Sequence, residues 1–289
     1  MRSSRGCFRP RARSCCRPGG SVRRRSSSIA PALWIPAGIA LGLLVLPLLG
    51  LIIRAPWAQL PELLSRPTVL QALGLSVGTA GLTTVLSLLL GVPLAFVLAS
   101  SVDWPAVPRR LVRALVTVPL VLPPVVGGVA LLLLLGRRGL IGQPLDDWFG
   151  ITIPFTTAAV VIAQTFVAMP FLVLSVEGAL RASDRRFEIA AGTLGASRFT
   201  IFRRVTLPLI APGIGAGALL CFTRALGEFG ATITFAGSFP GVTQTLPIAT
   251  YLELQRDPDA AIALSLVLIV VSIVVLVSLR DRWTAGLSS

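Results

Sequence analysis

Two opposite charges stand four residues apart inside an apolar run: Arg224 and Glu228, in CFTRALGEFGATITFAG from Cys221 to Gly237. On a helix, that spacing puts both side chains on one face. A charge at mid-bilayer costs about 2.5–3.5 kcal/mol on insertion scales, so its presence suggests a role. An unpaired arginine would attract an oxyanion through paired hydrogen bonds. Glu228 should largely neutralise Arg224, which argues against a tight anion site and for a pathway lining or gate. A structural ion pair that fixes helix packing is the alternative. Gly227 and Gly230 leave room for close helix contact.

Few other chemistries are open to this chain. It has no histidine and all 26 basic residues are arginine. No Ser-His-Asp or Cys-His set can be built, and no GxxxxGK[ST] phosphate loop can exist without lysine. The paired Asp146 and Asp147 fall in an outer loop and read as solvated. Cys7, Cys15, Cys16 and Cys221 form no CxxC pair, so no metal centre is expected. No catalytic residue is assigned, and no cofactor is expected on this chain.

A second cluster of informative residues is RASDRRFEIAAGTLGASRFTIFRRVTLPL, from Arg181 to Leu209. A bundle that needed only a connection would use a shorter loop. Ser183 or Asp184 can cap a helix starting near Arg185, with Phe187, Ala190, Ala191 and Leu194 close to one face. Gly195 ends it. Ser197 can cap a second helix carrying Phe199, Phe202 and Val205 on one face, and Pro208 and Pro212 bracket entry into the next apolar run. The expectation is a helical elbow lying across the membrane surface. Its small residues would admit another protein's backbone; an amphipathic helix resting on headgroups is the other reading.

The elements that must position these residues are membrane spans. The chain is 54% hydrophobic and 13% charged, against roughly a quarter charged in soluble domains. Six spans are expected, near 31–53, 69–100, 111–135, 155–180, 211–235 and 260–279. Arg224 and Glu228 are the ionisable pair placed inside them. Pro123 and Pro124 remove two backbone donors and must kink or break the third span. Such a break lines a wet cavity or is buried by protein.

Charge placement orients the spans. With the N-terminus inside, inner segments hold twenty arginines and outer ones five, which puts both termini in the cytoplasm. The net charge of +14 therefore marks topology, and no nucleic-acid-binding motif accompanies it. Nine arginines lie in the first 25 residues. Residues 1–28 read as a disordered basic cytoplasmic tail, with a signal peptide, a transit peptide or an overextended gene start as alternatives. Residues 29–66 form the first span and an outer loop, 67–281 the main transmembrane domain, and 282–289 a short cytoplasmic tail.

The 181–209 loop resembles the EAA signature of ABC importer permeases, through Glu188, Ala190, Ala191, Gly195, Leu207 and Pro208, with Val205 where isoleucine is usual and Ile189 inserted after the glutamate. RALGEFGAT, FAG and PGVTQTLPIATYLELQ (240–255) resemble the molybdate branch of those permeases, as do PLVLPPVVGG (119–128), GRRGLIG (136–142) and WFGITIPFT (148–156). Sulfate and thiosulfate permeases share the ALGEFGA core but usually differ after it, and a sulfate or thiosulfate permease is the alternative reading. The resemblance covers about 33–283. It implies an all-α type-1 (MetI-like) bundle importing molybdate by alternating access, with the loop as coupling helix. It further implies a permease homodimer, two ATPase subunits carrying ATP and Mg, and a lipid-anchored or periplasmic oxyanion-binding protein. An ion-coupled secondary transporter or an intramembrane enzyme remains the reading from a different class.

Overall fold

The computed structural model describes residues 34–101, 104–184 and 186–284, with backbone alone at 276 and 278–284. The leader 1–28, with Cys7, Cys15 and Cys16, and residues 285–289 lie outside this range. Every regular element among the described residues is a helix. In chain order these are α1 (Trp34–Ile53), α2 (Leu60–Ser65), α3 (Pro67–Ser100), α4 (Ala106–Val121), α5 (Pro124–Leu135), α6 (Gly142–Phe149) and α7 (Thr157–Ala182). They continue as α8 (Arg186–Thr193), α9 (Arg198–Ile201), α10 (Leu207–Leu226), α11 (Gly230–Phe235), α12 (Leu246–Glu253) and α13 (Pro258–Thr284).

Contacts divide the chain between Leu49 and Gly50. Most of α1 falls in the first unit. Its 20 uncharged residues reach about 30 Å, the thickness of a bilayer's hydrocarbon core.

In the second unit, α3, α7 and α10 form the centre. The buried face of α3 is a row of small residues, among them Ala72, Ser76, Thr79, Ala80, Thr83, Ser87, Gly91 and Ala95. Thr83 hydrogen-bonds Gln164, and a Cβ at Gly91 would stand 3.0 Å from Leu172, so α3 and α7 run parallel. A Cβ at Gly217 would lie 3.1 Å from that of Ser175, while Gly213 packs on Ala179; α10 therefore runs antiparallel to α7. Small side chains bring these backbones together, as membrane helices require in the absence of a water-driven hydrophobic force. Thr156 caps α7 by accepting the Ala159 N–H.

Among the described residues, five helical stretches are long and apolar enough to cross a membrane: Trp34–Ile53, Pro67–Ser100, Thr157–Ala182, Arg198–Leu226 and Pro258–Val275. The third expected span, 111–135, is not one straight helix. It is α4 and α5, bent by 117° at Leu122–Pro123; counted together they make the sixth. The expected break at Pro123 and Pro124 is present.

The fifth span also differs from its expected range of 211–235. It begins at Arg198, because α9, a π-helical turn at Phe202–Thr206 and α10 run on without interruption. The wide turn precedes Pro208, whose missing N–H leaves the carbonyl four residues back without its α-helical donor. The span stops at Leu226, and α11 is a separate helix. Only α8 is thus a free-standing elbow helix; the second expected elbow helix is the foot of a span.

Candidate functional site

The two helix breaks, at Leu122–Pro123 and at Gly227–Phe229, pack against each other. A Cβ at Gly230 would stand 3.0 Å from the Pro124 Cβ and 3.2 Å from the Val125 nitrogen. One turn on, a Cβ at Gly128 would collide with the Thr234 hydroxyl and lie 2.7 Å from the Ala231 carbonyl. The half-helices α5 and α11 are therefore in backbone contact. Gly227 has a different part: a Cβ there would meet nothing nearer than 3.6 Å. Close contact is made by Gly230, not by both glycines.

Arg224 and Glu228 form an ion pair at 2.5 Å, although they do not share one uninterrupted helix. Arg224 is in the last turn of α10, and Gly227 is its C-cap. Glu228 lies in the break, and its Oε1 accepts the Ala231 N–H at 2.9 Å. The cation thus sits at a helix C-terminus and the anion at a helix N-terminus, where each end's partial charge favours it. The pair spans the break, and Glu228 caps the start of α11. Glu228 is 1% exposed, so its carboxylate is committed to these partners. Phe229, beside it, packs on Tyr251 of α12 with ring centroids 5.0 Å apart.

At the other end of α10 is the elbow. Asp184 caps α8 by accepting the Arg186 N–H, and Ser197 caps α9 by accepting the Thr200 N–H. Gly195 turns the chain with φ +81°, a left-handed conformation that costs other residues about 1–2 kcal/mol. Its N–H donates to Gly192 O, and the Ala196 N–H to Ala191 O, closing the end of α8. Glu188 faces back towards the bundle, where its Oε1 accepts the Thr206 hydroxyl at 2.7 Å. Phe187, Ile189, Leu194 and Phe199 are exposed, and so is Ala190. Of the other signature residues, Leu207 is half-buried at the head of α10 and Pro208 is exposed beside it. A cleft of about 1050 Å³ separates the elbow from the ends of α3 and α7, with Phe96, Ser100, Arg181, Glu188 and Arg198 among its lining.

A third charged group was missed by sequence reasoning. Glu177 lies inside α7, in the expected fourth span, with its side chain 4% exposed. Its Oε1 takes Nη2 of Arg113 from α4 and, at 2.8 Å, Nη2 of Arg181. Arg224 and Glu228 are therefore not alone within the spans. The signal was available: a glutamate in the apolar run FLVLSVEGAL must find a cation. Arg113 and Arg181 had been read only as topology markers. Among the described residues no cluster of His, Cys, Asp or Glu is arranged to hold a metal.

Known proteins place this geometry. The family described as "Binding-protein-dependent transport system inner membrane component" matches residues 89–285. The molybdenum transport system permease protein ModB of Mycobacterium tuberculosis is 51% identical over 257 residues, 88% of this chain and 95% of that protein. ModB of Escherichia coli K12 is 41% identical over 218 residues, 75% and 94% of the two chains. The sulfate transport system permease protein CysT of Salmonella typhimurium is 34% identical over 242 residues, 82% and 86%. A chain of a bacterial alginate ABC transporter, crystallised with an alginate-bound periplasmic protein, superposes with a TM-score of 0.68 at 19% identity, covering 86% of this chain and 92% of its own. One from the MetNI methionine ABC transporter, in an inward-facing form, gives 0.59 at 17%, covering 77% and 99%. The two structures speak for the fold alone, and it is the MetI-like bundle of ABC importer permeases. With the match to residues 89–285 and relatives at 51% and 41% identity, the chain belongs to the family of binding-protein-dependent transport system inner membrane components, the multi-pass permease subunits of ABC transporters.

Proposed function

We propose that this permease imports molybdate across the cytoplasmic membrane by alternating access. The observation that carries the substrate is the order of its relatives: 51% identity to a molybdenum permease over 95% of that protein's length, against 34% to a sulfate permease. Molybdate, tungstate and sulfate are all tetrahedral dianions, so discrimination is assigned to a separate lipid-anchored or periplasmic binding protein. Growth of a deletion strain on limiting molybdate with excess sulfate tests this. Rescue by the gene supports the reading; correction of a sulfate requirement with no effect on molybdate-dependent growth contradicts it.

Two copies of the permease pair with two ATPase subunits that hold ATP and Mg. Both termini are cytoplasmic, which places α8 where an ATPase can dock. Glu188, Ala190, Ala191, Gly195, Leu207 and Pro208 constitute the coupling elbow. Support comes from exposed apolar side chains on a well-capped turn of small residues. Arg224, Glu228, Gly227, Pro123 and Pro124 form the gate region, supported by two helix breaks stacked inside one bundle. The ion pair there neutralises itself, so the gate does not hold the anion tightly.

A further inference from the structure

α4 connects with both proposed sites. At its middle, Arg113 grips Glu177, which also takes Arg181 in the last turn of α7, where the chain leaves for the elbow. At its C-terminus, α4 runs into the break at Pro123. Eight residues of helix, about 12 Å, separate Arg113 from that break. Beyond it, Pro124 and Val125 bear on Gly230, two residues from Glu228.

Much of the rest of α4 faces away from the core. None of its residues is buried. Val112 and Val116 lean on the core, whereas Val107, Leu111, Leu115, Val118 and Val121 are exposed. One anchor of the helix is thus an ion pair on a buried carboxylate that also holds Arg181 at the end of α7. A buried glutamate stripped of its cations is strongly unfavourable, so Arg113 and Arg181 must follow Glu177, and α4 must follow the end of α7.

We propose that Glu177 is a positioning residue that links the elbow to the gate: held by Arg113 and Arg181, it makes α4 move with the elbow and thereby shifts the Pro123–Pro124 break against Gly230. The link rests on the coupling reading above. It requires a contiguous physical connection that changes arrangement as a unit, and the chain Arg181–Glu177–Arg113–Pro124–Gly230 supplies one.

The test uses the whole complex, permease with its ATPase subunits and binding protein, reconstituted in liposomes. Spin labels go on Leu111→Cys in α4 and Leu194→Cys in the elbow, with Cys7, Cys15 and Cys16 changed to Ser and the buried Cys221 kept. A second pair joins Leu111→Cys to Val270→Cys in α13. With Glu177 in place, the Leu111–Leu194 separation should stay constant between nucleotide-free and ATP-bound states while the Leu111–Val270 separation changes. In Glu177→Gln the first separation should vary. Basal ATP hydrolysis should persist, while molybdate moved per ATP hydrolysed should fall at least tenfold. A Leu111–Leu194 separation that changes with Glu177 present overturns the link, as does a Glu177→Gln complex whose molybdate-to-ATP ratio stays within twofold of the unsubstituted one. If Glu177→Gln does not assemble, the labelled complex with Glu177 intact decides alone. Absence of any ATP-driven uptake by the unsubstituted complex would instead defeat the coupling reading itself.

Discussion

Gly230 and Pro124 approach so closely that a β-carbon on the glycine would stand 3.0 Å from that of the proline. This contact joins two helix breaks through residues that are 106 positions apart in sequence. Gly230→Val should overpack it, lowering stability by about 1–3 kcal/mol and abolishing uptake. Gly227→Ala, whose Cβ would meet Thr223 O at an ordinary 3.6 Å, should leave stability near normal and lower uptake less than Gly230→Val. Thermal unfolding in detergent, beside whole-cell molybdate uptake, checks the contrast; equal damage from the two would show that the breaks do not meet at Gly230.

The Arg224–Glu228 pair predicts a separation of stability from transport. Glu228→Gln leaves Arg224 without its counter-ion and should cost about 3–5 kcal/mol. Replacing both, as Arg224→Met with Glu228→Leu, should recover much of that stability, since no charge is left uncompensated. Uptake should stay low, because the break loses the acceptor for Ala231 N–H. A double variant that regains full uptake would make the pair a packing device only.

At the elbow, Gly195 and Thr206 act in different ways. Gly195→Arg places a bulky side chain in a left-handed turn and on the exposed docking face. The variant should reach the membrane in normal amount but import less than a tenth of the usual molybdate. Thr206→Val removes a hydrogen bond to a carboxylate, a contribution of about 1.5–3 kcal/mol, and should loosen α8 from the span. Its signature is faster proteolysis within 186–204 together with partial loss of uptake. Normal import by Gly195→Arg would end the assignment of this loop as the coupling element.

Much of this was legible in the chain. Apolar runs located the spans, the fifth with its bounds displaced, and the cap at Ser197 followed from a side chain able to accept a backbone N–H, while the other cap was open between Ser183 and Asp184 and falls to Asp184. The Pro123 break followed from two missing donors. What could not be read was where helices stop for tertiary reasons. The local signal at the end of α10 is Gly227, its C-cap; the break is also held by an ion pair that spans it and by the packing of Gly230 on a proline more than a hundred residues earlier. The spacing of four between Arg224 and Glu228 suits an unbroken helix as well as an i,i+4 pair that closes a gap. Glu177 has one partner within reach of spacing, Arg181 four residues on, but its pairing with Arg113, 64 residues away, is set by the fold rather than by spacing.

The most direct measurement is ATP-dependent molybdate uptake by purified permease in liposomes, with the binding protein present, with and without the ATPase subunits. Accumulation should require both the ATPase and ATP, and should vanish when Gly195→Arg replaces the normal permease in the full complex. Accumulation by the permease with no ATPase would contradict the proposal and favour an ion-coupled transporter.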